Sequence, residues 1–94
     1  MSSTDFVPQS LSDNISLIPL GNTLDNNNAE QLVQTILPIQ ENRNKYIIVD
    51  CLQLEFLSSA GVGAILGTIE TSRENGGDII LCNLSESITH VLRV

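Results

Sequence analysis

Two short apolar runs, Tyr46-Ile47-Ile48-Val49 and Asp78-Ile79-Ile80-Leu81-Cys82, restrict the folds open to this chain more than any other feature in it. Each is continuous and rich in β-branched residues, the pattern of a strand covered on both faces. Between them, Val62, Ile65, Leu66 and Ile69 recur at helical spacing, and Gly76-Gly77 stands where a left-handed cap closes a helix. Strand, helix and strand in that order predict a right-handed βαβ unit with parallel strands.

The flanking segments extend this unit. Phe6 to Leu11 contains Pro8, which confines it to an edge strand or an irregular one. Ser12-Asp13-Asn14 reads as a turn, so Ile15 to Leu20 returns as the second strand of a hairpin, ended or placed at an edge by Pro19. After a loop, Gly21 to Asp25, Asn27 is placed to cap a helix, with Glu30 closing a capping box. Ala29, Leu32, Val33, Ile36 and Leu37 form one apolar stripe, and Pro38 is expected to stop that helix. A polar linker, Glu41 to Asn44, leads into the Tyr46 strand. A last helix, Glu86 to Arg93, is capped by Ser85 and carries Ile88, Val91 and Leu92 on one face. The predicted order is β-β-α-β-α-β-α in a single α/β domain spanning 1–94.

Charge excludes whole classes of partner. The chain has 94 residues, 11 acidic and 4 basic, for a net charge of −7, and its cations (Arg43, Lys45, Arg73, Arg93) do not cluster. Nucleic acid binding depends on Lys and Arg neutralising phosphates, and an anionic membrane surface makes the same demand. No apolar run approaches the roughly 18 residues of a membrane span, and MSSTDFVPQS lacks the basic and apolar regions of a signal peptide. The cytoplasm is therefore the expected location, with Cys51 and Cys82 as reduced thiols that form no metal site.

Enzymatic constellations are not evident. His90 is the single histidine and lies on the terminal helix, with nothing to bring it to a serine. A P-loop fails because Gly61 and Gly67 enclose five residues and no Lys follows, and the dinucleotide pattern fails because Leu66 occupies its third glycine position. No catalytic residue, metal or cofactor is expected.

The loop beyond the Tyr46 strand is the richest place for function, since open α/β sheets work at the carboxyl ends of their parallel strands. There Leu54, Phe56 and Leu57 lead to Ser58 and Ser59 at the start of the second helix. A helix N-terminus favours an anion by about 0.3–1 kcal/mol, so a phosphate on either serine would be held without unfolding anything. Either serine equally reads as an ordinary helix cap. Gly61, Gly63 and Gly67 each cost the helix up to about 1 kcal/mol relative to Ala. Gly67 is expected to pack on the sheet, and Gly61 and Gly63 to admit a partner.

These residues carry a family resemblance along nearly the whole chain. Gly21-Asn22-Thr23-Leu24-Asp25 resembles a G-x-x-L-D segment before the first helix, and Ile47-Ile48-Val49-Asp50 a strand ending in Asp. Leu54-Glu55-Phe56-Leu57-Ser58-Ser59-Ala60-Gly61-Val62-Gly63 resembles an aromatic residue followed by D-S-S-G-L-G, and Gly76 to Asn83 a G-G-x-L-x-L-x-N strand. Together they are similar to the STAS domain of bacterial anti-sigma factor antagonists, with a STAS-like fold of a mainly parallel sheet packed by helices. In that family a further strand and helix often follow the point matching Val94.

The resemblance implies partner switching without catalysis. Ser59 matches the serine phosphorylated by an anti-sigma factor that is itself an ATP-dependent serine kinase, with Ser58 as the alternative acceptor. Asn22, Thr23, Asp25, Leu57, Ser58, Gly61 and Val62 match the partner-binding surface. The unmodified form would bind the anti-sigma factor and release sigma factor; phosphorylation would end binding, and a serine phosphatase would restore it. Two positions depart from the pattern: Ser58 stands where the family has Asp, and Ala60 replaces a second serine. The alternative reading is a STAS docking or small-ligand-sensing module without a phosphoswitch.

Overall fold

The computed structural model, which describes residues 6–41 and 46–93, contains β1 (Gln9–Ser12), β2 (Ile15–Pro19), β3 (Thr23–Leu24), α1 (Ala29–Glu41), β4 (Tyr46–Asp50), β5 (Phe56–Leu57), α2 (Ser59–Glu74), β6 (Asp78–Cys82) and α3 (Glu86–Arg93). The polar linker therefore lies, beyond Glu41, outside the described residues. The main sheet has the order β1-β2-β4-β6, with β2, β4 and β6 parallel and β1 antiparallel at the edge. β3 and β5 pair in a second, two-stranded parallel ladder that falls within segments expected to be loops.

Burial alternates along β2 and β4. Ile47 and Val49 of β4 are 0% and 2% exposed, whereas Tyr46 is 40% exposed and Ile80 of β6 50%. This corrects the expectation of strands covered on both faces: the apolar runs are continuous, but only one face is sealed. Ile18, Leu24, Leu32, Ile36, Ile47, Val49, Cys51, Ile65, Ile79 and Ile88 form the centre of the core on that side. Cys51 and Cys82 are free thiols, and burial pushes Cys51 up to about 11, leaving it protonated and unreactive at neutral pH.

Helix ends show where local signals are overridden. Asn27 does not cap α1. The Asp25 carboxylate accepts the Asn27 N–H at 2.9 Å and the Asp25 carbonyl accepts the Ala29 N–H at 2.8 Å, closing a turn just ahead of α1, while Glu30 accepts a bond from Gln34. Pro38 does not stop the helix either, for α1 runs to Glu41. Its last turn is tied down by Gln40, 8% exposed, whose Nε2 donates to the Thr68 carbonyl at 3.1 Å and the Ser72 hydroxyl at 2.8 Å. Those bonds, and Ile39 packing against the core, offset the donor that Pro38 removes.

α2 buries Gly61, Ile65, Thr68 and Ser72, and Leu66 is 56% exposed. The buried stripe is thus small and hydroxylated, with Val62 and Ile69 at its margin, because α1 lies against it and Gln40 needs partners there. Gly67 has nothing within 4 Å of where a Cβ would stand, so it does not pack on the sheet. Gly76, at φ +83, closes α2 as predicted: its N–H reaches Arg73 O and the Gly77 N–H reaches Ser72 O at 2.8 Å. Ser85 caps α3 through the Ile88 N–H, and Val91 lies 38% exposed, outside the core face it was assigned to.

Candidate functional site

The short ladder is what assembles the site. Thr23 stands opposite Phe56 and Leu24 opposite Leu57. The Asn22 carbonyl accepts the Glu55 and Phe56 N–H groups at 2.7 and 3.0 Å, and the Leu24 carbonyl accepts the Ser58 N–H at 3.0 Å. The G-x-x-L-D loop is therefore zipped to the segment that delivers α2, with Asn22 beside Glu55, Thr23 opposite Phe56 and Asp25 next in register toward Ser58. Asn28, 2% exposed, holds the other side of β3: its Oδ1 accepts the Asp25 N–H at 2.8 Å and its Nδ2 donates to the Thr23 carbonyl at 2.9 Å. Asn27, the asparagine expected to act here, is exposed, and the buried, bonded residue is its neighbour Asn28. The signal available was an amide residue among exposed asparagines just ahead of an apolar stripe.

The two serines differ in geometry. Ser58, with φ −88 and ψ 174, is the N-cap of α2, and its Oγ accepts the Gly61 N–H at 3.2 Å. Ser59 is the first helical residue and exposed, and its hydroxyl makes no hydrogen bond among the described residues. A group attached to Ser59 Oγ would project into solvent beside helix amides that have no carbonyl four residues back to bond. α2 carries no acidic residue in its first turn, and its basic residue, Arg73, lies in the last turn and pairs with Asp78 at 3.0 Å.

Around Ser59, Asn22 and Thr23 are exposed, and Asp25, Ser58 and Val62 are half-buried. Leu57 and Gly61 are placed beneath this surface, not on it. Leu57 is 7% exposed, and a Cβ on Gly61 would stand 2.5 Å from the Leu24 carbonyl oxygen and 2.7 Å from Leu57 Cδ1. Gly61 thus permits β3 to pass close to α2 and presents nothing to a partner. Gly63 has open space around it. Phe56, 54% exposed on β5, is an apolar residue the partner-surface assignment omitted. A shallow groove of about 310 Å³ between α1 and α2 runs past the site, lined by Asn26, Ala29, Glu30, Val33, Ala60 and Ala64.

The motif residues at the ends of β4 and β6 meet each other. Asn83 adopts φ 58, and its Nδ2 donates to Asp50 Oδ1 at 2.9 Å; the Leu52 N–H donates to the same oxygen at 3.0 Å. The Asn83 amide, helped by the Leu52 N–H, holds the Asp50 carboxyl below its ordinary value. Among the described residues no group of three His, Cys, Asp or Glu side chains is placed to hold a metal ion.

A family model for the STAS domain matches residues 10–94. The chain belongs to the STAS domain family. This STAS domain is similar to the anti-sigma F factor antagonist of Paenibacillus polymyxa, 24% identical over 79 residues, which are 83% of this chain and 68% of that protein. It superposes on the anti-sigma factor antagonist SpoIIAA in its unphosphorylated form with a TM-score of 0.84 at 27% identity, covering 95% of this chain and 78% of that one. With the phosphorylated form of the Bacillus cell fate determinant SpoIIAA the TM-score is 0.80 at 27% identity, over 95% and 81% of the two chains. The α/β architecture with its mixed four-stranded sheet is that of the STAS fold.

Proposed function

We propose that this STAS domain is an anti-sigma factor antagonist switched off by phosphorylation of Ser59. The observation that carries the reading is the division of labour between adjacent serines: Ser58 spends its hydroxyl on the helix cap, whereas Ser59 is exposed and unbonded on the rim of a surface that joins the Asn22 to Asp25 loop to Phe56 and Val62. The relatives named anti-sigma factor antagonists, and the solution of SpoIIAA structures in both phosphorylation states, support it.

In this reading the domain is a substrate and a ligand, not a catalyst. Unmodified, it docks through Asn22, Thr23, Phe56 and Val62 on an anti-sigma factor, which then releases sigma factor. That anti-sigma factor is a serine kinase. Ser59 Oγ forms a bond to the γ-phosphorus of ATP, the bond to ADP breaks, and the hydroxyl proton passes to a base of the kinase. The product carries about −1.5 to −2 additional charge on a chain already at −7. The N-terminus of α2 stabilises that phosphate in solution, and burying it in an apolar contact is costly, so the complex is lost while the fold is kept. A serine phosphatase, using water to cleave the phosphoester, resets the switch. Such a cycle requires the cytoplasm, where ATP and sigma factor are found. No helix among the described residues is long and apolar enough to cross a membrane.

The test is incubation with the anti-sigma factor serine kinases of the same genome and ATP, followed by mass spectrometry of the wild type, Ser58→Ala and Ser59→Ala. Phosphate is expected in the wild type and Ser58→Ala only. Phosphate retained in Ser59→Ala would move the acceptor to Ser58, and binding without any phosphate would favour a docking module with no phosphoswitch.

A further inference from the structure

We infer that Asn28 is the positioning residue of the phosphoacceptor segment: its buried carboxamide acts as a one-residue strand that locks β3 against β5, keeping Ser58 on its cap and Ser59 turned outward. This rests on the reading of Ser59 as the acceptor. Asn28 follows two exposed asparagines yet is itself 2% exposed. Its two bonds go to the Thr23 carbonyl and the Asp25 N–H, the groups on either side of Leu24. A residue in an adjacent strand would pair with the same two groups.

The need for such a clamp follows from the size of the ladder. β3 and β5 are two residues each, and so short a pair has little stability of its own. β5 and the cap hold one edge of β3 through the Asn22 and Leu24 carbonyls; Asn28 holds the other. Only a carboxamide fits, because it offers an acceptor and a donor on neighbouring atoms, whereas Asp lacks the donor and Ser has a single oxygen. The Leu24 carbonyl is the pivot. It accepts the Ser58 N–H and lies so near Gly61 that the first turn of α2 cannot shift independently of it. Releasing β3 therefore releases the backbone that orients both serines.

The experiment compares Asn28→Ala and the milder Asn28→Ser with Ile36→Val, a buried core substitution further along α1 that removes no hydrogen bond. Native-state hydrogen exchange is read at the Ser58 and Gly61 amides and, as the global reference, at the amides of β4. Phosphotransfer from ATP by the partner anti-sigma factor kinase is read as kcat/KM and as the division of phosphate between Ser58 and Ser59. In Asn28→Ala, exchange at Ser58 should rise about tenfold more than in β4, with a smaller excess in Asn28→Ser. Transfer to Ser59 should fall by a similar factor at a temperature where every variant is folded, with part of the phosphate moving to Ser58, and Ile36→Val should show neither change. Equal loss of protection at Ser58 and in β4 would overturn the role of Asn28. A wild type that accepts no phosphate would instead overturn the Ser59 reading, and the exchange comparison would still decide on Asn28.

Discussion

Ser58 and Ser59 have the same side chain, and one hydrogen bond separates what each can do. Because Ser58 Oγ satisfies the Gly61 N–H, Ser58→Ala is expected to lower stability by about 1 kcal/mol, roughly 4–8 °C in the thermal midpoint of a domain this size. Ser59→Ala should stay within about 0.5 kcal/mol of wild type, since its exposed hydroxyl makes no hydrogen bond among the described residues. Thermal unfolding of the two variants checks this directly. The glycines divide in the same way. Gly61→Ala drives a methyl group into the Leu24 carbonyl and should destabilise by about 1–3 kcal/mol. Gly63→Ala and Gly67→Ala meet open space inside a helix and should each stabilise by about 0.5–1 kcal/mol, visible as a raised midpoint. The sequence shows three glycines of equal cost, and only β3 passing beside α2 reveals which one is obligatory.

Elements with strong internal patterns were the readable ones. The β4-α2-β6 unit, the hairpin of β1 and β2, the Gly76 closure of α2 and the Ser85 cap of α3 all follow from periodicity and from residues whose conformational preference is local. What escaped reading depends on contacts distant in the chain. β3 and β5 have two residues each, too few for any period, and exist because they pair with each other. α1 outlasts Pro38 because Gln40 finds Thr68 and Ser72 across the helix interface. Gln40→Ala should accordingly cost about 1–3 kcal/mol in a denaturant titration, by leaving the buried Ser72 hydroxyl without its partner. The Asp50 and Asn83 motif residues were legible one at a time, but not as a bonded pair joining β4 to β6. Folding lowers the Asp50 carboxyl below its ordinary 3.8, so its contribution is complete above that pH and is lost as pH falls through the folded value. Asn83→Gly keeps the left-handed backbone and removes the amide. It should shift the Asp50 carboxyl titration upward, followed by carbon NMR, and flatten the loss of stability on the acid side.

Taken as one body, the molecule separates a buried core from an acidic exterior; its exposed large apolar side chains are spread over several elements, and of these Phe56 stands just ahead of α2. Net charge of −7 disfavours polyanionic partners and sharpens the effect of one more phosphate, because no basic residue of α2 lies nearer Ser59 than Arg73, which is already paired with Asp78. Phe56, 54% exposed beside Thr23, belongs to the proposed docking surface. Phe56→Ala should weaken anti-sigma factor binding by about 1 kcal/mol or more, measured by calorimetric titration, with the unfolding midpoint little changed. The central claim is that phosphate on Ser59 ends binding without changing the fold. The direct measurement is the affinity of the unmodified and Ser59-phosphorylated domains for the same anti-sigma factor, with the circular dichroism and unfolding midpoint of each recorded alongside. The account predicts a loss of affinity of at least about a hundredfold, equivalent to some 2.7 kcal/mol, with an unaltered spectrum and a midpoint equal to or above that of the unmodified form. Equal affinity of the two forms, or a loss of affinity accompanied by unfolding, would contradict it.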